Sequence, residues 1–255
     1  MKKFLLLFVL LLTVCSCAYA ESDMEYVKGK GVLVVGITDF QPMDYKNEKG
    51  EWIGFDADLA KKFAESLGVN IEFQEIEWNN KILELDGKNI DCVWNGMTLT
   101  PEVLAAMECS EPYCNNAQIV VVPANVADKF QDIDSLKDFT FAVEHGSAGN
   151  EVAKAQKLKT VEVQDQASAL MEVASGSSDG AIIDSLMAAA MVGPGTGYET
   201  LTYTVSLNVE EYGVGFRKGS DLADALNKFF DAGYADGSIK KLAAIYKIHV
   251  ALIKK

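Results

Sequence analysis

Residues 90–113 read IDCVWNGMTLTPEVLAAMECSEPY, from Ile90 to Tyr113. Ile90, Cys92, Val93 and Trp94 form a short apolar run between polar residues, the pattern of a buried strand. Asn95-Gly96 is a turn dipeptide and is expected to break that strand. Thr98 and Thr100 follow, with Pro101 and Glu102 directly behind. A threonine N-cap, proline at the first helical position and an acid in the first turn mark a helix start. A strand that brings small hydroxyl side chains to a helix N-terminus makes a polar corner, where free backbone N–H groups face a ligand. An ordinary strand-to-helix turn accounts for the segment equally well.

Outward from this segment the chain alternates strands and helices. Gly31–Ile37 is a strand. Phe55, Leu59, Phe63 and Leu67 recur every four residues, and Gly68 closes that helix. Ile71 and Phe73 alternate as a strand, and Ile82 and Leu85 mark a short helix ending near Gly87. A similar pattern begins near Gln118, with strands at 119–122, 140–143 and 160–163. Ser147-Ala148-Gly149-Asn150 opens a helix, and Ala167, Leu170, Met171 and Ala174 stripe another. The buried run Ala181–Ile183 delivers Asp184 at its C-terminal end. A strand at 212–217 and two amphipathic helices complete the chain. This βα order predicts α/β lobes with largely parallel sheets and a cleft between them.

The N-terminus reads differently. Lys2-Lys3 precede an apolar run from Phe4 to Val14, too short for a stable span and typical of a secretory signal covering residues 1–20. Two processing routes are open. Val14-Cys15-Ser16-Cys17 resembles a bacterial lipobox with Cys17 as the lipidated residue, and Ala18-Tyr19-Ala20 before Glu21 is an A-x-A cleavage site. Lipidation at Cys17 is the favoured route and implies attachment to a membrane.

The chain has 255 residues, 49% of them hydrophobic, and a formal net charge of −14. Removal of Lys2 and Lys3 with the signal makes it two units more negative. Such a surface repels nucleic acid and anionic lipid. Cys92, Cys109 and Cys114 cannot close a disulfide framework and fit no zinc spacing; Cys109 and Cys114 flank Ser-Glu-Pro-Tyr and pairing across it is the alternative, but the three read as thiols, with Cys92 buried. Two histidines, His145 and His249, are too few for a histidine-based metal site, and His249 reads as solvated. No metal or cofactor is expected.

Taken in order, Gly50–Ala60 (GEWIGFDADLA), the Ile90–Tyr113 segment, Gly146-Ser147 and Gly213–Gly219 (GVGFRKG) resemble the type 3 class of bacterial extracellular solute-binding proteins, which feed polar amino acids to ABC importers. The resemblance covers nearly all of the chain beyond the signal. It implies a two-lobe periplasmic-binding-protein-like α/β fold with two hinge strands and a ligand cleft between the lobes. Lobe one would hold residues 25–115 and 207–255, and lobe two residues 116–206. It implies a small-molecule ligand, an amino acid or related amine, and docking of the closed form on an ABC permease.

Carried over residue by residue, the resemblance makes Phe40 and Trp78 aromatic walls for the ligand. Asn95, Gly96 and Thr98 become strand-end hydrogen-bonding positions, and Ser147 and Ala148 a helix N-terminus beneath the carboxylate. Asp184 becomes the acid that takes the α-ammonium, and Asp39 lies near a position that reads the ligand side chain. Core packing of Phe40 and Trp78, and N-capping by Asp184, are the plainer readings of those residues. One departure stands out: Val103 occupies the place of an arginine that clamps the ligand carboxylate. Arg217 is the chain's single arginine, and it reads as a surface structural residue. Backbone N–H groups, Lys81 or a ligand without a free acid would fill the gap. A dehydratase-like enzyme on the same fold and a ligand-sensing subunit for a receptor are the alternative functions.

Overall fold

The computed structural model describes residues 22–253. The signal and lipidation expectations therefore fall outside the described residues. The helix Asp23–Lys30, which the hydrophobic pattern does not announce, is set by Ser22 and Glu25. Together these form a reciprocal capping box, and Gly31 ends the helix in the left-handed conformation.

The longer strands divide between two sheets. In the first, the order is Asn70–Glu75, Val32–Ile37, Cys92–Thr98, Glu210–Phe216 and Glu108–Cys109, with Cys114–Asn116 also paired to Glu210–Phe216. In the second, the order is Lys159–Val163, Thr140–Glu144, Gly180–Asp184, Gln118–Pro123 and Leu201–Ser206. The chain passes from the first sheet to the second between Asn116 and Gln118, and returns between Ser206 and Glu210.

Each sheet is mixed rather than largely parallel. Val32–Ile37 runs parallel to both neighbours, but Glu210–Phe216 is antiparallel to Cys92–Thr98. Likewise Gln118–Pro123 lies antiparallel between Gly180–Asp184 and Leu201–Ser206. The cause is the double crossing. A strand that enters a sheet from the other lobe arrives from the opposite direction to the βα strands already there. These antiparallel strands connect the two halves of the molecule.

Helices cover the sheets with their apolar stripes. On Phe55–Leu67, Phe55, Leu59 and Phe63 are fully buried, and Phe63 meets Trp94 of the central strand edge to face. Helices Leu222–Ala235 and Ser238–Ile245 pack on the same side, placing Phe230 against Trp94 and Tyr113.

Three local expectations change. The strand at residue 92 does not stop at Asn95-Gly96 but runs on to Thr98. Gly96 takes φ +54° inside it, and its N–H leaves the ladder for the Asp56 carboxylate at 2.7 Å. A Cβ there would lie 2.3 Å from Phe40 Cε1, so only glycine fits. Arg217 is buried, not on the surface. Its guanidinium pairs with Asp23 at 2.9 Å and Asp91 at 3.2 Å and donates to the carbonyls of Ile90 and Leu85. Cys114 is buried as well as Cys92, while Cys109 is half-buried; all three are free thiols.

Candidate functional site

The C-terminal ends of the parallel strands from both sheets converge on one cleft. Its lining includes Thr38, Phe40, Trp78, Lys81, Asn95, Gly96 and Thr98 from the side of the first sheet. Glu144, Ser147, Ala148, Glu151, Gln166 and Asp184 come from the side of the second. The cleft is narrow: the space between its atoms, open solvent included, is about 460 Å³, of which about 30 Å³ is cavity roomy enough for water. Eight of the nine ligand positions expected from the sequence meet here. Asp39 does not: its side chain is exposed, outside the lining. Partial burial, then the charges of Asp165 and Glu75, hold its carboxyl above its usual range.

Phe40 and Trp78 are both nearly buried and both border the cleft, so packing and wall coincide. Phe40 stands edge-on to Tyr212, and Trp78 lies in the apolar cluster of Met97, Val103 and Met107. Val103 belongs to that cluster, 3% exposed, while still bordering the cleft.

Asn95 is held from below. Its Oδ1 accepts from the N–H and hydroxyl of Thr38 at 3.0 and 2.8 Å, and its Nδ2 donates to Thr38 O and to Asp44 at 3.1 and 2.8 Å. The side-chain amide is thus fully engaged within the first lobe's framework, and its role is to fix the strand end. Asp44 and Asp56 are both buried beneath this strand. Burial pushes both carboxyls up, Asp56 to about 7, although Tyr113 and the Gly96 N–H lower it. Ser147 caps the helix Ala148–Ala155, its hydroxyl accepting from Asn150 N–H at 3.1 Å.

Asp184 occupies the N-cap position of Ser185–Met191 but makes no capping bond. Its Oδ1 accepts instead from Asn116, from Gln118 at 3.1 Å and from Tyr212 at 2.7 Å, while Oδ2 accepts from Gln166. Asn116 and Gln118 stand at the first crossing and Tyr212 just past the second, so Asp184 ties both connections together. Glu210 shares the network: its Oε1 accepts from Asn116, Gln118 and Thr98 at 2.7, 2.8 and 2.8 Å. Burial and the neighbouring Glu210 push the Asp184 carboxyl up to about 7, against the lowering effect of its hydrogen bonds.

The sequence reading omitted Glu144, although the same signal that selected Asp184 was present: an acid directly after a buried apolar strand. Glu144 is 3% exposed and lines the cleft. Burial first, then Asp184 and Asp165, hold its carboxyl well above the usual range. Glu102 and Glu151 line the cleft from its two sides. Burial and Glu102 raise the Glu151 carboxyl in turn. Lys81 is the cation among these residues. Its Nζ donates to the carbonyls of Gly146 at 3.1 Å and Trp78 at 3.4 Å, bridging the two sides. Burial lowers its pKa, while the acids Glu102, Glu144 and Glu151 work against that. Among the described residues, no group of His, Cys, Asp and Glu side chains is placed to hold a metal ion.

A two-sheet molecule with an enclosed polar cleft at its strand ends matches one family model, bacterial extracellular solute-binding proteins, family 3, over residues 33–248. The chain belongs to that family. The arginine-binding extracellular protein ArtP of Bacillus subtilis is 31% identical over 255 residues, covering 95% of this chain and 96% of its own. Among solved structures, the ancestral amino acid-binding protein AncCDT-1, a precursor of cyclohexadienyl dehydratase, superposes with a TM-score of 0.81 at 32% identity. It covers 88% of this chain and 99% of its own. An ABC uptake transporter substrate-binding protein from Streptococcus pneumoniae with bound histidine gives 0.80 at 25% identity, covering 88% and 93%. The two-lobe α/β fold of this family 3 protein is thereby established.

Proposed function

We propose that this family 3 protein is the extracytoplasmic solute-binding subunit of an ABC importer, closing around a polar amino acid or related small amine. The observation that carries this is the cleft itself. Strand ends from both sheets converge there, with the aromatic walls Phe40 and Trp78 and the acid Asp184 opposite the polar corner at Gly96 and Thr98. Relatives bind arginine and histidine, by their names. Residues 25–115 with 207–255, and 116–206, are the lobes that move, and the crossings at 116–118 and 206–210 are the hinges.

The closed form presents both lobes to a permease. Among the described residues no helix is long and apolar enough to cross a membrane; export follows from the residue 1–20 signal, and anchoring from a lipid on Cys17. Binding rather than catalysis is the favoured reading, although a precursor of a dehydratase shares the fold. A dehydratase substrate bearing carboxylates would face the acids Glu102, Glu144, Glu151 and Asp184 with Lys81 as the one cation in the lining, and none of those acids can balance a second anion.

The test is a thermal-shift screen of the mature protein over free amino acids and small amines. A ligand that binds only the folded state raises Tm. Small-angle scattering on the best hit should then record a smaller radius of gyration. A screen in which no amino acid or amine shifts Tm refutes this function.

A further inference from the structure

Glu144 ends the strand Thr140–Glu144 and borders the cleft, 3% exposed, with its Oε1 lacking any hydrogen-bond partner. A buried carboxylate oxygen at a cavity wall is incomplete until a donor reaches it. After burial, the strongest influence on its carboxyl is a second buried acid, Asp184; Gln166 and Lys81 act the other way, but none of them gives Oε1 a hydrogen bond. The far end of the cleft is no more hospitable to an anion. Glu102 and Glu151 line it, and Val103 packs into the Trp78, Met97 and Met107 cluster where it offers no charge. Lys81 is already engaged with two backbone carbonyls. A ligand carboxylate would add one more acid to four facing a single ammonium. A cationic nitrogen would supply the missing donor.

We propose that Glu144 is a second cation subsite beside Asp184, and that the solute is a small amine or guanidine of net positive charge with no free carboxylate. The inference rests on the solute-binding function above and narrows its ligand. Asp184, with three donors on Oδ1 and one on Oδ2, has little capacity left. Glu144, with a whole oxygen unpartnered, carries the larger share of recognition.

Calorimetry on the mature chain at pH 7.5 tests this with three matched pairs: L-arginine and agmatine, L-ornithine and 1,4-diaminobutane, L-histidine and histamine. The tightest binder of the six should be an amine, at least tenfold tighter than its own amino acid. Glu144→Gln, which keeps the shape and removes the charge, should weaken that amine at least tenfold. An amino acid as tight as or tighter than its amine overturns the inference and leaves the solute-binding function standing; Lys81→Met abolishing that binding would identify Lys81 as the carboxylate holder. Unchanged amine affinity in Glu144→Gln also overturns it. If none of the six binds, the inference falls, and the solute-binding function is decided by the wider thermal-shift screen. Should Glu144→Gln fail to fold, the preference within the wild-type pairs decides alone.

Discussion

Replacing Asp184 by asparagine should change how the ligand-free protein's stability depends on pH. The folded carboxyl sits at about 7, raised by burial and by Glu210, against about 3.9 for an unfolded aspartate. Between those values the folded state binds more protons than the unfolded one, so stability falls as pH rises. Three pH units at 1.36 kcal/mol each set a ceiling of about 4 kcal/mol on Asp184's share. Part of that rise belongs to the neighbouring Glu210 charge rather than to burial of Asp184 alone, so roughly 1–3 kcal/mol between pH 5 and 8 is the expected share.

The other titratable groups around this site are Glu144 and Asp165 from the second sheet's side, Glu210 and Tyr212 from the return strand, and Lys81 across the cleft. They remain in both proteins, as do Asp44 and Asp56 below, so the difference between the two pH profiles reports Asp184 together with the part of the Glu144 shift that Asp184 causes. Asparagine keeps an oxygen for Asn116, Gln118 and Tyr212. It also turns an N–H toward the Gln166 amide, which lowers stability by an amount that does not vary with pH. The slope is therefore the readout, not the absolute value. Urea denaturation at pH 5, 6, 7 and 8 measures it: wild type should lose stability upward across the range, and Asp184→Asn should lose less. Parallel profiles for the two proteins would refute the argument, as would a wild type more stable at pH 8 than at pH 5.

Arg217→Met should destabilise the fold by about 1–3 kcal/mol in urea melts: the Ile90 carbonyl and Asp23 lose their donor, while Asp91 keeps Lys30 at 2.6 Å. Gly96→Ala forces a Cβ against Phe40 and strains a positive φ; a loss of about 1–3 kcal/mol in stability together with weaker solute binding is expected, from thermal melts and calorimetry. If Cys17 carries the lipid, the wild-type mature protein partitions into detergent and Cys17→Ala does not; a wild-type N-terminus at Glu21 by sequencing would contradict it.

The parts of this molecule legible in the sequence are those whose signal is local. The βα alternation, the Thr100-Pro101 helix start and the Gly68 stop each depend on neighbours a few residues away, and each appears where expected. The mixed sheets were not legible, because the direction of Glu210–Phe216 follows from a double crossing between lobes that no short window records. Arg217 misled for a related reason. Its partners Asp23, Asp91 and the Ile90 carbonyl are more than a hundred residues away in sequence, so its burial has no local trace. Asn95-Gly96 was misread because a dipeptide that usually ends a strand here bulges within one, to hand the Gly96 N–H to Asp56. The site was half legible. Residue types at strand ends located Asp184 and the polar corner, but not what surrounds them. Only the fold brings Glu144, Asp184 and Glu210 within range of one another, and burial in that company raises the Glu144 carboxyl and takes that of Asp184 to about 7. A cleft of this kind gives up protons when a cation enters. Solute affinity in this protein should therefore rise with pH over the same interval in which the empty fold weakens.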